Sequence, residues 1–267
     1  MKSTNLGLIA GAGRFPVLLA ERMRERGKNV VIAGIHGHAS VEAFAFHRFR
    51  YFYPGEIRAA SRWFQQHEIT DVVLAGGFQW PKRGVRLKAD LSLWPWLPSL
   101  MLQGDDQRLR RMARLFERQG VSIVSALSWI PDWFVAGGVV CGPEPTNRIQ
   151  ALIDLGVSRC REFVHRDRGQ AVCVSAKGVV TYEDRRGTNA LIAGMSDAGG
   201  VLVKMKKVSQ DMRFDVPTIG PATVDLAAEA GLGAIVVEAN AVMLLEKSLV
   251  LHKCRRTNIS LVAVRIP

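Results

Sequence analysis

The chain has 267 residues, of which 48% are hydrophobic and 22% are charged, as in an ordinary soluble globular protein of one large or two ordinary domains. No apolar run approaches the ~20 residues of a membrane span, and the four cysteines lack the C-x-x-C spacing of structural zinc. The net charge of +12 favours a polyanionic partner, such as nucleic acid, an anionic membrane face or a phosphorylated substrate.

Strands and helices alternate through the first half of the chain. The sequence predicts strands at 6–10, 29–33, 48–53, 71–75 and 121–126. It predicts helices at 16–27, 56–67 and 100–119. A β-α-β unit with a glycine turn indicates a parallel sheet, so we predict an α/β N-terminal domain over residues 1–130.

The composition changes between residues 129 and 145, where proline and glycine cluster, and this predicts a domain boundary. Beyond it we predict helices at 146–155, 188–195, 222–230 and around 242–252. The predicted strands are a hairpin of 171–175 with 179–183, followed by 201–205, 234–238 and 260–264. Residues 131–267 are therefore predicted to form a second α/β domain.

The turn after the first predicted strand reads G-A-G-R-F-P, with glycines at Gly11 and Gly13 and Pro16 at the start of a helix. Its backbone N–H groups could meet a phosphate, and tight-turn geometry explains the glycines equally well. Binding of NAD is disfavoured because the second strand is followed by no acidic residue before Glu42.

The segment 204–223 concentrates charge between a predicted strand and a predicted helix. Its charged side chains are Lys204, Lys206, Lys207, Asp211, Arg213 and Asp215. The lysines suit an anionic group such as a phosphate, and a helix starting near Thr218 would aim free N–H groups at the same loop. A solvated strand-to-helix connection is the alternative.

Two further segments have open interpretations. Asp105 and Asp106 open the long basic helix, where an aspartate is first a helix cap and second a ligand for Mg²⁺ or a basic group. Residues 91–102 concentrate Trp94 and Trp96 among leucines, which suits either core packing or contact with a bilayer or an acyl chain. No RNP, KH or zinc-finger pattern supports nucleic-acid binding.

Five motifs carry a resemblance that runs nearly end to end. They are L-G-L-I-A-G-A-G-R-F-P, A-G-G-F-Q-W-P, P-S-L-M-L-Q-G-D-D, R-G-T-N-A-L and Q-D-M-R-F-D-V-P-T-I-G-P-A-T. With them the chain resembles the LpxI-type UDP-2,3-diacylglucosamine pyrophosphatases of lipid A biosynthesis. The resemblance implies that residues 1–130 are a Rossmann-like domain, that residues 131–267 are a distinct catalytic domain, and that a ligand cleft lies between them. It also implies Mg²⁺-dependent hydrolysis of UDP-2,3-diacylglucosamine to 2,3-diacylglucosamine 1-phosphate and UMP.

The resemblance also implies roles for individual residues. Asp215 falls on the family's essential aspartate and is our first choice for catalysis, with Lys204 and Arg213 beside it. Asp215 and Glu183 are the metal-ligand candidates. The predicted substrate-binding residues are Gly11, Gly13, Pro16, Asp105, Asp106, Thr188, Lys207, Gln210, Thr218 and Gly220.

One motif departs from the family pattern. Residues 186–189 read R-G-T-N where the family typically reads E-G-T-D, so Arg186 and Asn189 replace two carboxylates. If either acid serves the metal or the attacking water, activity would be altered. The alternative function is therefore a non-catalytic protein that binds a UDP-sugar or a lipid headgroup.

The expected partners are a lipidated UDP-sugar and the anionic inner-membrane surface, and nucleic acid is not expected. The expected location is cytoplasmic and peripheral at the inner membrane, since the N-terminal apolar run breaks too early for a signal peptide. Assembly into a homo-oligomer is left open.

Overall fold

The computed structural model describes residues 5–77, 105–166, 168–195 and 198–266. The chain divides into two compact units. The first comprises residues 1–130 together with 211–215, and the second comprises 131–210 and 216–267. Residues 211–215 thus group with the first unit, although the sequence analysis assigned them to the second domain. The Trp-rich segment 91–102 lies outside the described residues.

The first unit is built on a five-stranded parallel sheet in the order β3-β2-β1-β4-β5. The strands are β1 Asn5–Ala10, β2 Asn29–Ile35, β3 Arg48–Phe52, β4 Asp71–Ala75 and β5 Ser122–Val124. The helices are α1 Phe15–Glu25, α2 Ile57–Gln65 and α3 Asp105–Arg118. This confirms the predicted parallel α/β sheet.

The centre of this sheet lies between β1 and β4. Both strands are almost wholly buried apolar runs, which is typical of parallel strands covered on both faces. In register, Ile9 on β1 lies between Ala33 on β2 and Leu74 on β4. The strand order reverses direction between β1 and β4, so this pair is the topological switch point of the sheet.

The second unit has a six-stranded mixed sheet in the order β6-β13-β11-β9-β7-β8 and a two-stranded parallel sheet of β10 and β12. The strands are β6 Gly138–Cys141, β7 Ala171–Val174, β8 Val180–Tyr182, β9 Val201–Lys204, β10 Thr218–Ile219, β11 Ala234–Glu238, β12 Met243–Leu244 and β13 Ser260–Val264. The helices are α4 Asn147–His165, α5 Thr188–Ala193, α6 Pro221–Glu229 and α7 Lys247–Arg256. Strands β9, β11 and β13 are mutually parallel. Strand β6 pairs antiparallel with β13, and β7 pairs antiparallel with both β9 and β8.

Each face of the larger sheet has its own hydrophobic core. On β9, Val201 and Val203 belong to the cluster that includes Phe163 of α4, whereas Leu202 belongs to the cluster that includes Val224 of α6. The period of two along a strand places alternate side chains on opposite faces. Helices therefore cover both faces of the sheet, as in other layered α/β proteins.

Helix α4 is ten residues longer at its C-terminal end than the predicted 146–155. The residue that follows the predicted end is Gly156, and glycine in a helix interior is unfavourable. In the structure Gly156 is buried in mid-helix, where a Cβ atom would lie 2.6 Å from Val203 Cγ2 and 3.1 Å from Val174 Cγ2. The glycine is needed because α4 passes this close to β7 and β9.

Three short strands were not predicted. They are β6, β10 and β12, and the last two have only two residues each. The predicted helix around 242–252 accordingly begins only at Lys247. Among the helices of the described chain, none has the length and apolar character to cross a membrane.

We expect Gly156→Ala to lower the free energy of unfolding by about 1 kcal/mol. Overpacking costs about 1–3 kcal/mol, and the gain in helix propensity returns only about 1 kcal/mol. Urea denaturation measures the difference. The control is Ser158→Ala, at an exposed position of the same helix, which should be neutral or slightly stabilising. Equal stabilisation by both substitutions would show that the close approach at Gly156 is not a constraint.

Candidate active site

Polar side chains gather at one edge of the larger sheet of the second unit. Lys204 is the last residue of β9 and pairs in register with Val237, next to Glu238 at the end of β11. Gln170 directly precedes β7, and Glu183 directly follows the antiparallel β8, so both lie at this same edge. Ligands of α/β proteins bind outside the carboxyl ends of the parallel strands. This edge is therefore the candidate site of the second unit.

A chain of hydrogen bonds links four of the residues in and around this edge. Lys204 Nζ donates to Thr188 Oγ1 at 3.0 Å, and Thr188 Oγ1 donates to Glu183 Oε1 at 2.6 Å. The other carboxylate oxygen, Glu183 Oε2, accepts from the Gln170 backbone N–H at 2.8 Å. We call Lys204, Thr188, Glu183 and Gln170 the Lys204 network. It brings together three predicted site residues from two sequence segments, Glu183 and Thr188 from one and Lys204 from the other.

The burial of Lys204 explains why the network exists. The side chain is only 6% exposed, and a buried ammonium group is strongly unfavourable unless it is hydrogen-bonded and compensated by charge. The Thr188 hydroxyl has one proton, which it gives to Glu183, and it accepts the bond from Lys204 with a lone pair. Thr188 is held in place because it is the first residue of α5, after Gly187 at φ +84°.

The loop after β9 is fixed by the same edge of the sheet. The Lys206 N–H donates to Glu238 Oε2 at 2.8 Å, and the Lys207 N–H donates to Gln210 Oε1 at 3.0 Å. Gln210, which is 6% exposed, donates through Nε2 to Gln170 Oε1 at 3.4 Å. The predicted substrate-binding residues Lys207 and Gln210 are thus joined to each other and, through Gln170, to the Lys204 network.

The predicted lysine cluster is divided in the structure. Lys204 is directed inward to Thr188, whereas Lys206 and Lys207 remain partly exposed. Sequence reasoning missed Gln170 and Glu238 as parts of the site. Each stands at the end of a correctly placed strand, and that position is the signal that could have identified them.

A buried thiol lies beside the network. Cys160 Sγ donates to the Gln170 carbonyl at 3.7 Å and to the Val203 carbonyl at 3.8 Å. Burial raises the pKa of Cys160 to about 12, so it stays a neutral thiol at physiological pH. Because the thiolate is the nucleophilic form of cysteine, Cys160 has a packing role.

Asp215 is positioned by the first unit. Its neighbour Phe214 is 7% exposed and belongs to the hydrophobic cluster of β5 and α3 that contains Ile123 and Phe116. Ser125, which follows β5, donates through Oγ to the Met212 carbonyl at 3.3 Å. Since Ser125 follows the carboxyl end of β5, the segment with Asp215 lies beside the carboxyl edge of this sheet.

Arg213 is held by carboxylates of its own unit. Its guanidinium contacts Asp211 at 2.9 and 3.0 Å and Glu117 at 3.4 Å, and it lies 5.5 Å from the centre of the Phe214 ring. The hydrogen bonds from Arg213 lower the pKa of Asp211, and they raise the pKa of Arg213 in return. A phosphate contact by Arg213 would therefore have to share or displace Asp211.

The glycine turn after β1 is explained by its close approach to the turn after β4. The Gly11 N–H donates to the Ala75 carbonyl at 2.8 Å, and Ala12 and Gly77 exchange two backbone hydrogen bonds of 2.9 Å. A Cβ atom on Gly11 would lie 2.6 Å from the Gly77 carbonyl oxygen, and Gly13 has φ +95°. The backbone bridge occupies the switch point of the sheet. Two of the N–H groups predicted to meet a phosphate are consequently bound within the protein.

Other predicted substrate-binding residues also have structural roles. Pro16 is buried at the start of α1, and its Cγ would lie 2.6 Å from a Cβ atom on Gly76. Thr218 donates through Oγ1 to the Val216 carbonyl at 2.8 Å, and Gly220 caps α6. Their predicted contacts with substrate stay predictions.

The acidic residues of α3 are only partly described. Asp105 and Asp106 are the first two residues of this helix, and their side chains lie outside the described part of the chain. The helix begins where the G-D-D motif places it. Their predicted contact with substrate stays a prediction.

The described residues contain no group of three or more His, Cys, Asp or Glu side chains placed to hold a metal ion. Glu183, a predicted ligand, already accepts one hydrogen bond on each carboxylate oxygen. Mg²⁺ is commonly held by only one or two protein carboxylates together with water and substrate phosphates, and the donors present suit that kind of site.

The two residues that depart from the family motif stay outside the Lys204 network. Arg186 forms a bidentate ion pair with Asp184, with Nη2–Oδ2 at 2.7 Å and Nε–Oδ1 at 3.2 Å, and its side chain is 78% exposed. The side chain of Asn189 is exposed as well. The carboxylate that binds Thr188 comes instead from Glu183.

Comparison with known proteins covers both units. The family model described as the LpxI N-terminal domain matches residues 5–133, and that of the LpxI C-terminal domain matches residues 136–262. The chain is 33% identical over 273 aligned residues to the UDP-2,3-diacylglucosamine pyrophosphatase LpxI of Caulobacter vibrioides. That alignment covers 92% of each chain.

We expect Thr188→Val to lower the free energy of unfolding by about 1–3 kcal/mol, because Lys204 and Glu183 each lose a buried hydrogen-bond partner. Thr188→Ser keeps the hydroxyl and should recover most of the loss. The control is Thr181→Val at an exposed position of β8, which should stay within about 0.5 kcal/mol of wild type. If urea denaturation gave equal losses of unfolding free energy for Thr188→Val and Thr181→Val, the stabilising role of the Lys204 network would be contradicted.

We expect Asp211→Asn to remove part of the acid sensitivity of folding. Because Arg213 lowers the pKa of Asp211 in the folded state, this carboxylate stabilises the fold above its unfolded pKa of about 3.9. That contribution is lost as the pH falls below about 4 and through the lowered pKa. The difference in unfolding free energy between wild type and variant should therefore shrink over this range. A difference that stays constant with pH would contradict the ion pair.

Proposed function

Because the chain belongs to the LpxI family, we propose that it hydrolyses the diphosphate of UDP-2,3-diacylglucosamine to 2,3-diacylglucosamine 1-phosphate and UMP. One observation carries this proposal. The relative that bears this activity in its name is similar over 92% of both chains, across both units. The activity belongs to the hydrolases of lipid A biosynthesis.

Asp215 is the proposed catalytic carboxylate. Hydrolysis of a phosphoric anhydride needs a positioned water and compensation of the charge that develops on the diphosphate. A carboxylate can accept the proton of the water or bind a metal ion that polarises the phosphate. The buried ring of Phe214 and the bond from Ser125 to Met212 support this role, because they fix the backbone next to Asp215.

The Lys204 network is proposed to supply fixed positive charge. Lys204 is positioned by its bond to Thr188, and Thr188 is oriented by Glu183. Such a preorganised ammonium group can stabilise a phosphate without reorganising during the reaction. Lys207, half-buried in the adjoining loop, is proposed to bind the substrate phosphates. Arg213 could bind a phosphate in the same way only if its guanidinium contacted the phosphate and the Asp211 carboxylate together.

Mg²⁺ is the proposed cofactor, and Asp215 and Glu183 are its proposed protein ligands. When bound, Mg²⁺ would polarise the diphosphate and neutralise part of its charge. Mg²⁺ commonly takes one or two protein carboxylates and completes its coordination with water and substrate phosphates, so two carboxylates suffice for this proposal. The proposed roles of the protein's own residues are to bind and orient the diphosphate through Lys204 and Lys207 and to accept a proton from water through Asp215.

The replacement of two family acids is proposed to leave turnover intact. Arg186 is neutralised by Asp184 at the surface, and Glu183 provides the carboxylate of the network. We also propose a cytoplasmic location at the inner-membrane face, because the substrate carries two acyl chains. Nucleic acid has no place in this proposal.

The purified protein is expected to release UMP and the lipid monophosphate from UDP-2,3-diacylglucosamine with Mg²⁺ and not with EDTA, as followed by mass spectrometry. Asp215→Ala should lower kcat by at least ~100-fold, the range for loss of a general acid or base. The matched control is Asp154→Ala, at an exposed position of α4, which should retain wild-type activity.

Circular dichroism and the urea midpoint will show whether Asp215→Ala still folds. Wild-type turnover by a folded Asp215→Ala variant would refute the catalytic assignment. Substrate bound by the wild-type protein without product would refute the hydrolase. Equal activity with EDTA and with Mg²⁺ would refute the cofactor alone.

A further inference from the structure

The second unit carries an open groove of about 920 Å³ beside the C-terminal part of α4 and the edge strand β8. Five arginines line it: Arg159, Arg166, Arg168, Arg185 and Arg186. We call it the arginine groove. Among the described residues its charge is uneven, because three carboxylates share the lining with the five guanidinium groups.

The carboxylates neutralise only part of this charge. Arg159 lies 3.4 Å from Glu162, and Arg186 is paired with Asp184. Glu183, the third carboxylate, is engaged by Thr188 and by a backbone N–H. The other three arginines have no side-chain hydrogen bond or ion pair within the described part of the chain, and they are Arg166, Arg168 and Arg185.

Part of this charge has an ordinary structural explanation. Arg166 caps the C-terminus of α4, where a cation complements the helix dipole. That explanation does not extend to Arg168 and Arg185, which lie outside the helix. Like charges around one groove repel each other, so an anion in the groove would relieve this repulsion.

We propose that the arginine groove is a docking surface for the phosphate groups of anionic lipids at a bilayer surface. Guanidinium groups bind phosphate oxygens bidentately. The side chains of Arg166, Arg168 and Arg185 are exposed and thus define no single rigid phosphate pocket, whereas a bilayer presents many phosphates at once. The inference rests on the proposed function only in that a diacylated substrate resides in a bilayer.

An aromatic pair supports a bilayer rather than a soluble anion. Tyr182 lines the groove, is 44% exposed and has its ring centre 5.1 Å from that of Phe163. Tyrosine is enriched at membrane interfaces because its ring is apolar and its hydroxyl is polar. Exposed arginines beside an exposed tyrosine therefore match the chemistry of a headgroup layer.

The groove is also next to the proposed site of the second unit. Glu183 is part of its lining and belongs to the Lys204 network. A bilayer held at the arginines would thus lie beside residues proposed to act on a lipid that resides in that bilayer. The arginine groove would then both hold the protein at the bilayer and bring the Lys204 network close to the lipid substrate.

Sedimentation with phosphatidylcholine vesicles, with and without phosphatidylglycerol, tests the proposal on the full chain. The protein should bind only the anionic vesicles. Arg166→Gln with Arg168→Gln should lower the partition coefficient roughly 30-fold, since each basic residue near an anionic surface contributes about fivefold. The matched control replaces Arg255 and Arg256 of α7 by Gln, which removes the same charge at exposed positions away from the groove. It should change binding less than about threefold.

Equal losses in the two double variants would overturn the proposal, because they would show a general effect of net charge. Unchanged vesicle binding by the groove variant would overturn it too. A single-stranded oligonucleotide serves as a second probe. If the groove variant loses oligonucleotide binding but keeps vesicle binding, the groove binds nucleic acid and the lipid assignment is wrong.

A turnover comparison separates this proposal from the proposed function. The groove variant should keep wild-type kcat on substrate in neutral detergent micelles and show a raised KM on substrate in anionic vesicles. A kcat loss in micelles would assign the arginines to the reaction and overturn their role in docking. If the wild-type protein itself releases no product, the proposed function fails and the vesicle result still decides the groove.

Discussion

The buried ammonium group of Lys204 imposes the strictest requirement on the second unit. A charge that is 6% exposed must be compensated, and the structure does so through Thr188 to Glu183. This requirement fixes the start of α5, because Thr188 must present its hydroxyl at the end of β9. It also fixes the loop before β7, because Gln170 holds the second oxygen of Glu183. The local order of the candidate site is therefore a consequence of placing one positive charge at the edge of a sheet.

In the first unit the corresponding constraint is apolar. Phe214 belongs to the hydrophobic cluster of this unit, although the residues before 211 and after 215 belong to the other. Burial of a phenylalanine side chain contributes about 1.5–3 kcal/mol, and here that contribution ties the segment 211–215 to the core of the first unit. The Asp211–Arg213 pair completes the segment at the surface. Asp215 thus follows directly in sequence from a residue of the core of the first unit, which limits the freedom of its backbone.

The sequence predicted the strands well where burial dictates them. Continuous apolar runs at β1, β4, β9 and β11 leave no alternative to a covered parallel sheet. The failures have equally physical causes. The helix predicted at 146–155 stopped just before Gly156. A sequence cannot show that Val203 will approach the backbone at this position. For the candidate site, charge density drew attention to the segment that contains Lys204, whereas the positions of Gln170 and Glu238 beside Lys204 follow from sheet register, which appears only when strands distant in sequence are paired. The grouping of Phe214 with the first unit has the same cause.

The connection from β8 to α5 shows how one short segment can serve two purposes. Glu183 points its carboxylate to Thr188, whereas Asp184 and Arg186 pair with each other at the surface. Replacing an acid by Arg186 therefore leaves the carboxylate of the network in place, because a different residue provides it. The same replacement adds a guanidinium to the arginine groove. In the structure Arg186 is a surface residue paired with Asp184, and the hydrogen bonds from Glu183 to Thr188 and on to Lys204 form without it. The sequence does not show which carboxylate accepts the hydrogen bond from Thr188, whereas the fold shows that it is Glu183.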